Sequence, residues 1–245
     1  MQGYTRRQLK EDKFIDTAQG AAEWTAEHRT QVIASAVVLI IVVGGTLGFI
    51  SWRSHQNDAA NLALGSAMRV FNATVRTAGA PAGTETESYA SIAERGKAAE
   101  KELKNVADKY PHTDAGHIAR YLEGVAAMQA GENSVAEKQL KAAADSGDKN
   151  VAALAKMALA NYYRANNRTA DATRIYKDLS DHPTETVSKS AAQLAMADMY
   201  ESTDPQQAAS IYQQIQKEDP NSPAAQAATS KLTGNKGPGS SPLPE

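Results

Sequence analysis

The pattern of apolar and polar positions divides the chain into one unbroken apolar run followed by a long tract of periodic helices. From Val32 to Ile50 nineteen consecutive residues carry no charge, and twelve of them are Val, Ile, Leu or Phe. A helix of that length rises about 28 Å, close to the thickness of a bilayer's hydrocarbon core. Each large apolar residue contributes roughly −0.3 to −0.6 kcal/mol of insertion free energy near the helix centre. The run therefore predicts one transmembrane helix over residues 32–52, with Trp52 at the outer interface. A buried helix of a soluble core would have to be apolar on every face, within a chain whose other helices are amphipathic and alanine-rich.

Charge placement orients that span. Arg6, Arg7, Lys10, Lys13 and Arg29 precede it, whereas only Arg53 and Arg69 lie in the twenty residues after it. The excess of cations on one side predicts a cytoplasmic N-terminal arm, residues 1–31, with residues 53–232 on the far side of the membrane. The Thr5-Arg6-Arg7 string lies too far from the apolar run, with acidic residues between, for a twin-arginine signal, so the run reads as an uncleaved anchor. In the arm, Leu9, Phe14, Ile15, Ala18, Ala22 and Trp24 recur at loose helical spacing, which fits either a short surface helix or a weakly ordered stub. Gly44 and Gly48 form a G-x-x-x-G pair at which a second helix, from another copy or from a partner, could approach closely.

Beyond the span the period is helical almost throughout. Breaks fall at an insertion over residues 78–87 and at a Gly/Ser/Pro tail, residues 233–245, whose composition predicts disorder. Ala136, Ala172 and Ala208 recur at intervals of 36, each followed four residues later by a large side chain, Leu140, Tyr176 and Tyr212. Ala99, Leu103 and Val106 form an upstream copy. The preceding helices repeat a second pairing, Gly124 with Ala127, Ala160 with Tyr163, and Met196 with Met199. A small residue lets the helices of a hairpin come close, and its larger partner fills the gap to the next hairpin. The first pair is predicted as a helix from about Asp58 to Thr77 and another from Ser88 to Lys109, and residues 223–232 read as a capping helix.

These positions resemble the tetratricopeptide repeat family, although the family's leading tryptophan is missing and the period is 36 rather than 34. The resemblance implies an all-α fold: a right-handed helical solenoid of about four helix pairs, preceded by a single transmembrane helix. It also implies a groove lined by the first helix of each pair. The family pattern places Ile118, Tyr121, Val125 and Met128 on that groove, then Leu154, Met157, Asn161 and Arg164, then Gln193 and Tyr200. Tyr and Met suit a partner helix or a partly unfolded segment, whereas Asn161 and Arg164 alone make a poor clamp for a terminal carboxylate.

Composition removes other classes of function. The chain has no cysteine, 6% aromatic residues and a formal charge of −2. Thiol chemistry is excluded, and no clustered cationic excess suits nucleic acid. His112-Thr113-Asp114-Ala115-Gly116-His117 has metal-like spacing but falls on an inter-helix turn, where Thr113 or Asp114 serves as a helix cap. No phosphate loop, H-E-x-x-H string or nucleophile elbow is present, so neither catalysis nor a cofactor is expected. The plan of arm, span and repeats resembles the YfgM-like ancillary subunits of the bacterial Sec translocon. That resemblance implies a single-pass inner-membrane protein with periplasmic repeats, whose partners are SecYEG, membrane-bound chaperones or nascent secreted chains. An alternative keeps the fold and makes the chain an envelope-assembly or division scaffold, like the TolA-binding and outer-membrane assembly repeat proteins.

Overall fold

The computed structural model of the chain describes residues 28–76 and 88–234. The N-terminal arm to residue 27, the whole insertion together with Thr77, and the tail from residue 235 lie outside the described residues. The helices are α1 (Arg29–Phe71), α2 (Ile92–Lys109), α3 (Asp114–Ala130), α4 (Asn133–Ala144) and α5 (Lys149–Ala165). They continue as α6 (Thr169–Asp181), α7 (Lys189–Tyr200), α8 (Pro205–Glu218) and α9 (Pro223–Leu232). Two short strands, β1 (Thr74–Val75) and β2 (Ser88–Tyr89), pair in parallel across the foot of the insertion. The chain divides into two compact units, Met1–His55 and Gln56–Glu245.

In the first unit α1 is the one helix, among the described residues, long and apolar enough to cross a membrane. Its large side chains are uncovered: Leu39, Ile40 and Ile41 are 64%, 69% and 66% exposed. Within this apolar stretch the Thr46 hydroxyl donates to the carbonyls of Val42 and Val43, both at 2.9 Å, so it is satisfied without water. Gly44 and Gly48 have no neighbour within 4 Å of a built Cβ, which leaves their face of the helix open.

The second unit is a succession of helix pairs. Residues 56–71 of α1 supply Ala60, Leu64 and Ala67 to a cluster with Leu103 and Val106 of α2 and Ala119 and Ala126 of α3. Then α3 pairs with α4, α5 with α6 and α7 with α8, and α9 closes against α8. Contacts from α3 to α5 and from α7 to α9 link first helices of neighbouring pairs, as a stacked solenoid requires. The helix expected to run to Thr77 stops at Phe71, because Thr74–Val75 enters the small sheet. The helix expected from Ser88 starts instead at Ile92, since Ser88–Tyr89 is the partner strand and Ser91 is the N-cap.

Capping chemistry explains where the first helices begin. Thr113 accepts from Gly116 N–H at 3.0 Å, which resolves the cap of α3 in favour of the threonine and accounts for the polar string around it. Asp148, Ser188 and Ser222 cap α5, α7 and α9 through their side-chain oxygens. Within the pairs, α3 and α5 end alike. Gly131 (φ 78°) and Asn167 (φ 59°) are left-handed. The next amides reach back to Ala127 and Tyr163 carbonyls at 2.9 and 2.8 Å. These turns lie one 36-residue interval apart, so the repeat governs backbone conformation as well as packing.

Candidate interaction surface

The first helices α3, α5 and α7 carry the residues expected to line a groove. Ile118 is half-buried against the first core cluster, and Tyr121, Val125 and Met128 are half-buried against the second. On α5, Met157 joins two clusters and Leu154 packs on the smaller one built around Ala153, Leu179, Val187 and Ala192. Arg164 is exposed. On α7, Tyr200 is half-buried between two clusters, and its hydroxyl lies 3.1 Å from Thr173 Oγ1. Each of these apolar side chains thus buries one side in the core and keeps another in solvent.

Two predicted groove residues are committed elsewhere. Gln193 is only 5% exposed and faces Glu218 of α8, so it is a packing residue and corrects the expectation of a groove position. The amide oxygen of Asn161 accepts the Tyr176 hydroxyl at 2.7 Å, so it ties α5 to α6 rather than standing free for a ligand. Leu194 and Met196 of α7, by contrast, are half-buried on the same cluster as Tyr200 and belong with the surface set. The family register alone did not distinguish Gln193 from Leu194.

Polar side chains knit the helix pairs together. Burial pushes the Tyr176 hydroxyl up to about 12. Burial and the neighbouring Asp198 carboxylate raise Tyr212 as well, and Tyr212 donates to Asp198 at 2.6 Å. Glu137 on α4 accepts from Lys141 at 2.8 Å, from Arg168 at 2.9 Å and from Tyr163 at 3.0 Å. Those bonds hold its carboxyl down at about 2. The Arg168 guanidinium also stacks 4.0 Å over the Tyr163 ring. An open depression of about 490 Å³ beside this network is lined by Lys141, Lys156, Tyr163, Arg174 and Asp178, with Lys156 and Asp178 paired at 2.6 Å. Each lining cation is ion-paired, Lys141 with Glu137, Arg174 with Asp171 and Lys156 with Asp178, and no nucleophile and base converge there.

Among the described residues, no group of three His, Asp or Glu side chains is placed to hold a metal ion. His112, at the head of the polar string, is exposed. What the surface offers is therefore contact area, apolar and adaptable, presented from successive helices. No curated protein and no solved structure matches the chain. The family model for the tetratricopeptide repeat-like domain matches residues 23–187, a stretch that takes in the apolar helix together with α2 to α6. Domains of this kind generally bind proteins and are typically non-catalytic, and the chain belongs to the tetratricopeptide repeat-like family.

Proposed function

We propose that this chain is a membrane-anchored, non-catalytic docking protein of the bacterial cell envelope. In this reading α1 spans the inner membrane with the arm in the cytoplasm, and the helix pairs stand in the periplasm as an accessory to the Sec translocon and its chaperones. The observation that carries it is the half-buried apolar set on α3, α5 and α7, with Tyr121, Met128, Met157 and Tyr200 packed on the core clusters and still reachable by a partner. Flexible Met and rigid Tyr side chains suit a helix or an emerging chain better than a fixed polar ligand. The positive-inside distribution supports the orientation, and the inclusion of the apolar helix in the family match supports an anchor integral to the architecture. The span confines the surface to the membrane, so many weak contacts add up at high local concentration.

The test is photocrosslinking in native membranes from Tyr121, Met157 and Arg164. Adducts with translocon subunits, periplasmic chaperones or secretory precursors are expected. Recovery of division or outer-membrane assembly proteins alone would replace the translocon reading with a scaffold.

A further inference from the structure

Among the described residues the largest fully buried side chains are Tyr176, Leu103, Leu140, Ile215 and Glu123, of which only Glu123 is a carboxyl. Glu123 is 1% exposed, and neither of its carboxyl oxygens has a hydrogen-bond partner. A buried carboxylate in that state is costly, because desolvation is uncompensated by any donor. The charged groups facing it are Glu100, Lys104 and Asp108 from α2 and Arg120 from its own helix. The two cations are already engaged. Lys104 pairs with Asp108 at 2.7 Å, and Arg120 lies 3.8 Å from Asp108 while donating to the Ala107 carbonyl at 3.4 Å. The elements packed around α3 add apolar side chains, Leu64 from α1, Leu140 from α4 and Leu159 from α5.

We propose that Glu123 is a proton-operated latch. Held as the neutral acid, it lets α3 pack tightly between α2 and α4, and losing its proton loosens that packing. Burial first, then the nearby Asp108 and Glu100 carboxylates, push its titration up to about 7, against the partial opposition of Lys104 and Arg120. A carboxyl whose folded value lies above its unfolded one binds its proton more tightly in the native state. Its contribution is therefore fully present below about pH 4.5 and is lost as pH rises through about 7. This is opposite in sign to the carboxylates with depressed values, Glu137, Asp178, Glu201 and Glu218, whose contributions fade only in acid.

The experiment is denaturant unfolding of the full chain in detergent micelles from pH 5 to pH 8, compared with Glu123→Gln and Glu123→Met. In the unmodified chain the unfolding equilibrium constant should rise roughly 50-fold across that interval, and in both variants it should change several-fold at most. Met is apolar and close in volume, so it serves where an amide cannot be accommodated. Infrared spectra of glutamate-labelled chain provide a readout independent of any variant, a protonated carboxyl band that disappears between pH 6 and pH 8. Parallel pH profiles in chain and variants, or the absence of such a band at pH 6, would overturn the latch. Both readouts report folding and protonation, so they stand whatever partner the surface binds.

Discussion

The α3–α4 pair and the α5–α8 tract solve the same packing problem with different chemistry. At the first, the large residue of the second helix is Leu140, and it lies so close to its partner helix that a Cβ built on Gly124 would sit 2.7 Å from Leu140 Cγ. At the equivalent positions 36 and 72 residues on, the large residue is Tyr176 or Tyr212. Each tyrosine must find an acceptor for its hydroxyl, and each finds one on the preceding helix, Asn161 or Asp198. The first solution relies on close approach alone and tolerates an unpartnered acid next door. The second brings each large aromatic side chain together with a polar partner. What the two share is shape, and what distinguishes them is whether buried polar atoms are matched.

Removing the shape should have the largest effect. Leu140 is fully buried, so Leu140→Ala should destabilise the chain by about 3 kcal/mol through lost burial and an unfilled cavity. Gly124→Ala alone should also destabilise, by about 1 to 3 kcal/mol, because the added methyl meets Leu140. In the Leu140→Ala background the two closest contacts, with the leucine side chain, are gone and only the backbone nitrogen of residue 140, 3.1 Å away, stays close to the methyl. The double variant should therefore cost less than the sum of the singles when unfolding is followed by circular dichroism in denaturant. Strict additivity would mean that the close approach carries no energy of its own.

This contrast also marks what the sequence makes legible. The span and the paired helices follow from composition and spacing: nineteen uncharged residues, and alanines every 36 residues that leave room for a neighbouring helix. The left-handed turns were legible in principle, since Gly131 and Asn167 are residue types that tolerate positive φ and lie one repeat apart. Interhelix hydrogen bonds were not. Nothing local to Asn161 says that it meets Tyr176, and nothing near Gln193 says that it turns toward Glu218, because both partners are brought in by the next helix. The end of α1 is illegible for a related reason, as Thr74–Val75 takes a strand partner from beyond the insertion. Glu123 was invisible as a buried acid because its helical neighbours in sequence include Arg120, which suggests a solvated face.

Removing hydroxyls while keeping shape should have a smaller effect, confined to the tyrosine tract. Tyr212→Phe should cost about 2 kcal/mol, since its acceptor is a carboxylate, and Tyr176→Phe about 1 kcal/mol, since its acceptor is an amide. Asp198 keeps Lys231 at 3.5 Å after the change, which limits the loss at Tyr212. Thermal unfolding of the two variants side by side checks the order. Equal and negligible shifts would make the tyrosines mere fillers of volume, and the two regions would then differ in sequence only.

The smallest effect is expected at Glu137, which joins the regions by reaching from α4 to Tyr163 of α5 and to Arg168 at the start of α6. Its side chain is 24% exposed, so solvent screens its ion pairs, and Glu137→Gln should cost only about 1 kcal/mol at neutral pH. The sign of its pH dependence separates it from the rest. The carboxyl is held at about 2 by its bonds to Lys141 and Arg168, below its unfolded value, so its contribution is present above about pH 4.5 and disappears as pH falls through about 2. The difference in stability between the chain and the variant should accordingly stay level from pH 7 down to about pH 5 and shrink toward zero near pH 2. A difference that holds constant into acid would mean that the cost comes from altered packing of the amide. The network would then join α4 to α5 and α6 by shape, as Leu140 and Gly124 join α4 to α3.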